Sequence, residues 1–120
     1  MKLSKFELSK LRDLNDYDVM LWEFCVPYED EVKNLSESEY LDYKNEYLKE
    51  AKKCLMTWIE RGWLEFSVSI GKGPLLDSKE ALRSIKSFEL KSTKTPQAVI
   101  GVSLKRKAYE DTGLEFLSNL

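Results

Sequence analysis

A change of hydrophobic period at Gly62 constrains this chain more than any other feature. Upstream of it, Tyr40, Tyr43, Tyr47, Leu48, Ala51, Leu55, Trp58 and Ile59 recur at the spacing of one helix face, near 3.6 residues. Downstream, Leu64, Phe66, Val68 and Ile70 alternate with Glu65, Ser67 and Ser69, the two-residue period of a half-buried strand. The helix also has a start and a stop. Ser36 and Glu39 have the spacing of a capping box, in which each side chain satisfies an orphan amide of the other. Arg61 and Gly62 place a cation and a C-terminal glycine at its end. A long helix feeding a strand through one glycine calls for a mixed α+β domain.

The rest of the chain supplies shorter elements. Asn15 and Asp16 are good capping residues, and Leu14, Tyr17, Met20, Leu21, Phe24 and Cys25 follow at helical spacing, so a helix is predicted there, ending before Pro27. Glu29-Asp30-Glu31 reads as an acidic loop. Gly71-Lys72-Gly73-Pro74 is predicted to end the first strand in a turn, and Asp77-Ser78 to cap a short helix through Glu80, Ala81, Leu82 and Ile85. A polar connection from Lys91 to Pro96 leads to a second strand over Ala98 to Leu104, followed by a short helical pattern with Ala108 and Tyr109, a breaker at Thr112-Gly113 and an apolar tail. With 120 residues, 42% of them hydrophobic, and no linker or internal repeat, the chain is read as one domain, 1–120.

Composition removes several classes of function. No apolar run approaches the roughly 18 residues of a membrane span, so no membrane association is expected. The N-terminal residues lack the apolar core of a secretory signal, and a cytoplasmic location is the expectation. Histidine is absent, which takes away the commonest general base, the commonest metal ligand and every Ser-His or Cys-His nucleophile. Cys25 and Cys54 lie 29 positions apart inside apolar patterns, without the spacing of a zinc site. Asp42 with Glu46, and Glu46 with Glu50, stand at i,i+4 as a shared carboxylate site would, but so do the charges of a solvated helix face. Gly71 to Pro74 lacks phosphate-loop spacing, and Pro74 has no amide to offer a phosphate. No catalytic residue, metal or cofactor is expected.

Three sets of residues carry a resemblance. The order helix, helix, strand, excursion, strand matches a winged-helix domain. Cys54 to Phe66 resembles its helix–glycine–strand junction, and Val102-Ser103-Leu104 with Lys105 to Asp111 resembles its second wing strand and following helix. The resemblance covers about residues 14 to 111 and implies a helical core with a two- or three-stranded antiparallel wing and a helical insertion between the strands. Two departures stand out: the excursion from Gly71 to Gln97 is long, and the helix that would read DNA is acidic over its first half. This acidic, inserted variant is similar to immunity proteins of bacterial contact-dependent growth inhibition systems.

Charge placement bears on the partner. The net charge is only −2, but Asp13 to Glu50 holds twelve acids against three lysines, whereas Ala51 to the end is net basic. Carboxylates along the long helix would repel the phosphates on which nucleic-acid binding depends. Tyrosines set among acids are also what a protein-binding surface uses. The sequence therefore points to a basic protein partner, and the resemblance to a toxin domain, such as a nuclease, that this chain neutralises. The expected contacts are Asp18, Glu29, Asp30, Glu31, Glu39, Asp42, Tyr43 and Glu46. The alternative is a winged-helix transcriptional regulator holding DNA phosphates with Lys91, Lys94, Lys105, Arg106 and Lys107.

Overall fold

Two capping boxes start the two main helices. Ser4 Oγ accepts from the Glu7 amide while Glu7 Oε1 accepts from the Ser4 amide, both at 3.1 Å, opening α1 (Lys5–Asp16). Ser36 and Glu39 make the same reciprocal pair at 3.3 and 3.0 Å, opening α4 (Glu37–Arg61). Between them lie β1 (Val19–Met20), α2 (Leu21–Cys25) and α3 (Glu29–Val32), and after them β2 (Leu64–Ser69), β3 (Lys72–Leu76), α5 (Ser78–Ser87), β4 (Gly101–Leu104) and α6 (Arg106–Thr112). The structure is a computed structural model that describes residues 2–69, 72–89 and 95–115.

The helix-to-strand junction forms as the sequence predicts. Gly62 adopts φ 74°, a left-handed conformation that disfavours any side chain, and its amide closes the last turn of α4. Trp63 then donates to the Trp58 carbonyl at 3.0 Å and accepts from the Lys105 amide at 2.7 Å, tying the start of β2 to the end of β4. The sheet is antiparallel with order β1-β4-β2-β3. Leu64 and Phe66 are buried, whereas Val68 is exposed, and the β2–β3 register shifts between Ser67 and Ser69. Ile70 lies outside the described residues.

Four expectations are corrected. The helix predicted from Leu14 to Cys25 is divided: Asn15 and Asp16 end α1, the chain extends through β1, and only Leu21–Cys25 is helical. Long-range bonds override the local periodicity there, since Leu21 donates to the Ile100 carbonyl at 2.8 Å and Trp22 to the Ala98 carbonyl at 3.1 Å. The second predicted strand starts only at Gly101, since the Val99 and Ile100 amides close local turns on the Thr95 and Gln97 carbonyls, both at 3.3 Å. The acidic loop at Glu29 is a short helix. Lys72 to Pro74, read as a turn, belongs to β3, so the sheet has four strands and the helical excursion α5 follows β3. Ser69 pairs with Lys72 and Ser67 with Leu75, so Gly73 and Pro74 both stand opposite Val68. That bulge on an edge strand is a place that tolerates a proline without an N–H.

The core is centred on the C-terminal half of α4. Trp58, Trp63, Leu55, Phe24 and Val102 are fully buried, with Trp58 and Trp63 ring centroids 5.8 Å apart. Each indole N–H finds a carboxylate, Trp58 on Glu7 at 3.2 Å and Trp63 on Asp111 at 2.7 Å, which meets the requirement that a buried donor be satisfied.

Candidate functional site

The N-terminal half of α4 is packed differently. Its outer turns present Tyr43, Glu46, Tyr47 and Glu50 at i, i+3, i+4 and i+7, one helix face. Across from them α1 presents Lys5, Phe6 and Ser9, and the segment entering α3 presents Tyr28 and Glu31; together these line a cleft of about 320 Å³. Glu31 holds the two helices in register by accepting from the Tyr43 hydroxyl. That bond is the first reason the Tyr43 phenol is pushed above its usual pKa.

The tyrosines of the cleft differ in how they are satisfied. Tyr28 donates to Asp13 Oδ2 at 2.5 Å, and burial together with that acceptor raises its pKa. Tyr47 packs edge-on to Phe6, with centroids 5.1 Å apart, and lies 6.3 Å from the Tyr43 ring. It is 6% exposed, yet its hydroxyl has no hydrogen-bond partner among the described residues. Burial is the main cause of its raised pKa, followed by the charges and dipoles of Tyr28, Glu31 and Tyr43, the residues that line the cleft with it.

Behind this wall sits a buried cation. Lys10 is 2% exposed, and its ammonium lies 4.8 Å from the Tyr28 ring centroid, 4.9 Å from those of Phe24 and Tyr47, and 5.6 Å from that of Phe6. Rings attract a cation through their quadrupoles, which compensates part of its lost hydration. Desolvation nevertheless dominates and lowers its pKa to about 8, against the opposing pull of Asp13, the two thiols and Glu31.

Beyond Glu46 and Glu50 the groove between α1 and α4 continues into a larger cleft of about 590 Å³, where Glu7, Lys49, Lys53 and Arg61 give mixed charge. Glu46 pairs with Lys49 at 3.2 Å across an exposed surface, a contact worth little. Glu50 has no ion-pair partner among the described residues.

Of the expected contacts, the fold brings Glu31, Tyr43 and Glu46 to the cleft, with Glu29 and Asp30 exposed beside it on α3. Asp42 is exposed on α4 but does not line the cleft. Glu39 is engaged in the Ser36 cap, which lowers its pKa. Asp18, exposed ahead of β1, stands apart from the cleft lining. Tyr28, Phe6 and Lys10 were not foreseen as site residues, and Tyr47 and Glu50, whose spacing on the helix the sequence shows, were not among the expected contacts. Continuing the i,i+4 spacing from Tyr43 and Glu46 would have found Tyr47 and Glu50. Phe6 and Lys10 carry the same spacing on α1, where no helix was predicted.

Among the described residues no group of His, Cys, Asp and Glu is arranged to hold a metal, and no helix is long and apolar enough to cross a membrane. Cys25 and Cys54 are free and buried, and burial pushes both thiols up, Cys25 to about 12. Of the alternative basic set, Lys105, Arg106 and Lys107 are exposed at the start of α6, with Lys107 paired to Asp111 at 3.1 Å; Lys91 and Lys94 lie outside the described residues. No protein-family model matches this chain, and neither a curated protein nor a solved structure is significantly similar to it.

Proposed function

We propose that this chain is a non-catalytic immunity protein that neutralises a basic toxin domain, most simply a nuclease, through the acidic face formed by α3 and the N-terminal half of α4. One observation carries the reading: Glu31 of α3 and Glu46 and Glu50 of α4 are exposed around a single tyrosine-lined cleft, with Glu29 and Asp30 exposed on the same short helix as Glu31. A concave surface on which carboxylates outnumber the single rim lysine, Lys5, focuses a net negative field outward, speeding encounter with a partner of opposite sign and suppressing wrong ones. Tyrosine at its centre supplies contact area at low entropic cost. A nuclease domain, basic where it holds phosphates, is complementary to such a face, and covering that site would block its substrate.

The scaffold is read as winged-helix-like. α4 passes through Gly62 into β2, β4 runs antiparallel to β2, and α6 follows β4, the arrangement of a wing with a trailing helix. This arrangement and the acidic face support the resemblance to contact-dependent growth inhibition immunity proteins, and on that reading the protein works in the cytoplasm of the cell it protects.

The test is co-purification with the protein domains encoded by the genes flanking this chain's own, with association rates followed against salt. Reversing Glu29 and Asp30 to lysine should slow association by about tenfold at low salt, the difference shrinking as salt screens the field. Unchanged rates and undiminished protection of cells would refute the acidic face as the binding surface.

A further inference from the structure

From the free end of α4 we infer that this chain pairs with a second copy of itself, the N-terminal halves of the two α4 helices lying antiparallel. Such a dimer does not depend on the toxin reading. No residue of α4 before Tyr47 is buried, so its first two and a half turns, roughly 15 Å of helix, lie outside the core. Helices of that length are marginal in water by themselves, and most of the stability of a helix in a protein comes from packing of its apolar face. This stretch instead exposes Tyr40 at 39% and Leu41 at 53%. Both continue the stripe that buries Ala51, Leu55 and Trp58 further along the same helix. An apolar stripe that runs past the edge of its own domain is a surface for another helix.

The charges on that stripe select a second copy as its occupant. Glu37, Tyr40, Leu41 and Lys44 fall within about 100° of one another around α4, whereas Glu39, Asp42 and Glu46 fall on roughly the opposite side. The stripe therefore carries one acid and one cation, and a basic protein would gain no electrostatic advantage on it. A two-fold axis crossing between Tyr40 and Leu41 sets Glu37 beside Lys44 of the second copy and Tyr40 beside Leu41 of the second copy, and symmetry makes each contact twice. Neither Glu37 nor Lys44 has an ion-pair partner among the described residues. The Lys44 ammonium lies 5.7 Å from the Tyr40 ring centroid, which keeps the cation on the stripe. Glu39, Asp42 and Glu46 point away from the axis in both copies, so pairing does not crowd like charges together. Contact over so few turns stands at the small end of specific interfaces, below about 1,200 Å², and fits a dimer in exchange with monomer at a Kd of about 100 µM.

The experiment is sedimentation velocity of the full chain from about 5 to about 500 µM, a range that brackets the expected midpoint. The sedimentation coefficient should climb from the monomer value towards that of a dimer. Leu41→Asp, which puts a charge at the centre of the seam, should hold the chain monomeric throughout. Glu37→Lys and Lys44→Glu each set like charges opposite one another twice per dimer, and each should weaken association about tenfold. The double exchange, Glu37→Lys with Lys44→Glu, restores both pairs with their signs reversed and should recover wild-type association to within about twofold. All three positions lie on the exposed half of the helix, away from the core. A chain that stays monomeric at every concentration leaves the stripe to some other protein and overturns the dimer. So does a dimer that survives Leu41→Asp, and failure of the double exchange to recover association overturns the two-fold register. The toxin reading is tested apart from this: a monomeric chain that captures a basic toxin domain sinks the dimer alone, and a dimer that captures none sinks the toxin reading alone.

Discussion

Replacing Lys10 by methionine should change the stability of this protein in a manner that depends on pH. The folded chain holds Lys10 with a pKa of about 8, whereas the ordinary value is 10.5. Between those values the unfolded chain binds the proton more tightly than the folded one, so stability contributed at this site rises with pH across the window. The full shift corresponds to about 3 kcal/mol, present as a cost at neutral pH and removed above pH 10.5. Between pH 7 and pH 9.5 about 2 kcal/mol of it is recovered by wild type. Wild type alone will not display this, because both thiols and the buried phenols titrate at higher pH when folded than when unfolded and so lose stability as the solution turns alkaline.

The difference between wild type and Lys10→Met cancels those shared titrations. Methionine has nearly the length of the lysine stem, and its sulfur packs well against rings, so the box of Phe6, Phe24, Tyr28 and Tyr47 should stay filled. Urea unfolding of the two proteins at pH 7 and pH 9.5 reads the change directly, provided m is the same for both. Wild type should gain about 2 kcal/mol on the variant over that interval. A gap that stays constant would show that the four rings restore what dehydration takes away, and that the ammonium holds its ordinary pKa. Desolvation would then not be the dominant effect at this position.

Two further substitutions probe the cleft and the junction. Tyr47→Phe removes a buried hydroxyl that makes no hydrogen bond among the described residues, so it should stabilise the free protein by about 1 kcal/mol in chemical denaturation; a destabilised variant would mean the hydroxyl has a partner after all. Gly62→Ala places a side chain at φ 74° and should cost about 1 kcal/mol in unfolding measurements, chiefly from backbone strain, since the nearest atom to the new Cβ would be Lys107 Cδ at 3.5 Å, an ordinary contact; no loss of stability would refute the left-handed junction.

What the sequence conveyed clearly was local. The Ser36 cap, the long helix, the Gly62 stop and the alternating start of β2 each depend on neighbours in the chain, and each formed as read. The Asp77 cap of α5 did too, with Asp77 accepting from the Glu80 amide at 2.8 Å. The failures were non-local. Leu14 to Cys25 has helical spacing, but the carbonyls of Ala98 and Ile100 claim the amides of Trp22 and Leu21 and split the element. β3 was hidden because Gly73 and Pro74 have turn chemistry, and only their placement in an edge bulge lets a strand contain them. The same limit applies to the site. Acid density singled out Glu31, Tyr43 and Glu46, whereas Lys10 and Phe6 join them only through the docking of α1 beside α4, and Tyr28 through its bond from the cap of α3 to Asp13 on α1.

The distribution of satisfied and unsatisfied groups gives an independent reason to place function at this seam. In the C-terminal half of α4 the local rules agree with one another: both tryptophans are buried, both indole N–H groups are bonded, and the helix end is capped. In the N-terminal half, within one cluster of rings, the chain keeps a buried ammonium and an unpaired buried hydroxyl. The other unpaired buried atom among the described residues, Asn15 Oδ1, lies in the last turn of α1. Each feature at the seam opposes folding and would be relieved by a single apolar substitution. Costs of this kind persist in folded proteins chiefly where they serve binding. Lys10→Met and Tyr47→Phe therefore form one test of that logic: if both raise stability at neutral pH while the proposed partner binds less tightly, the seam trades stability for recognition. If both raise stability and binding is untouched, the two features are incidental to it.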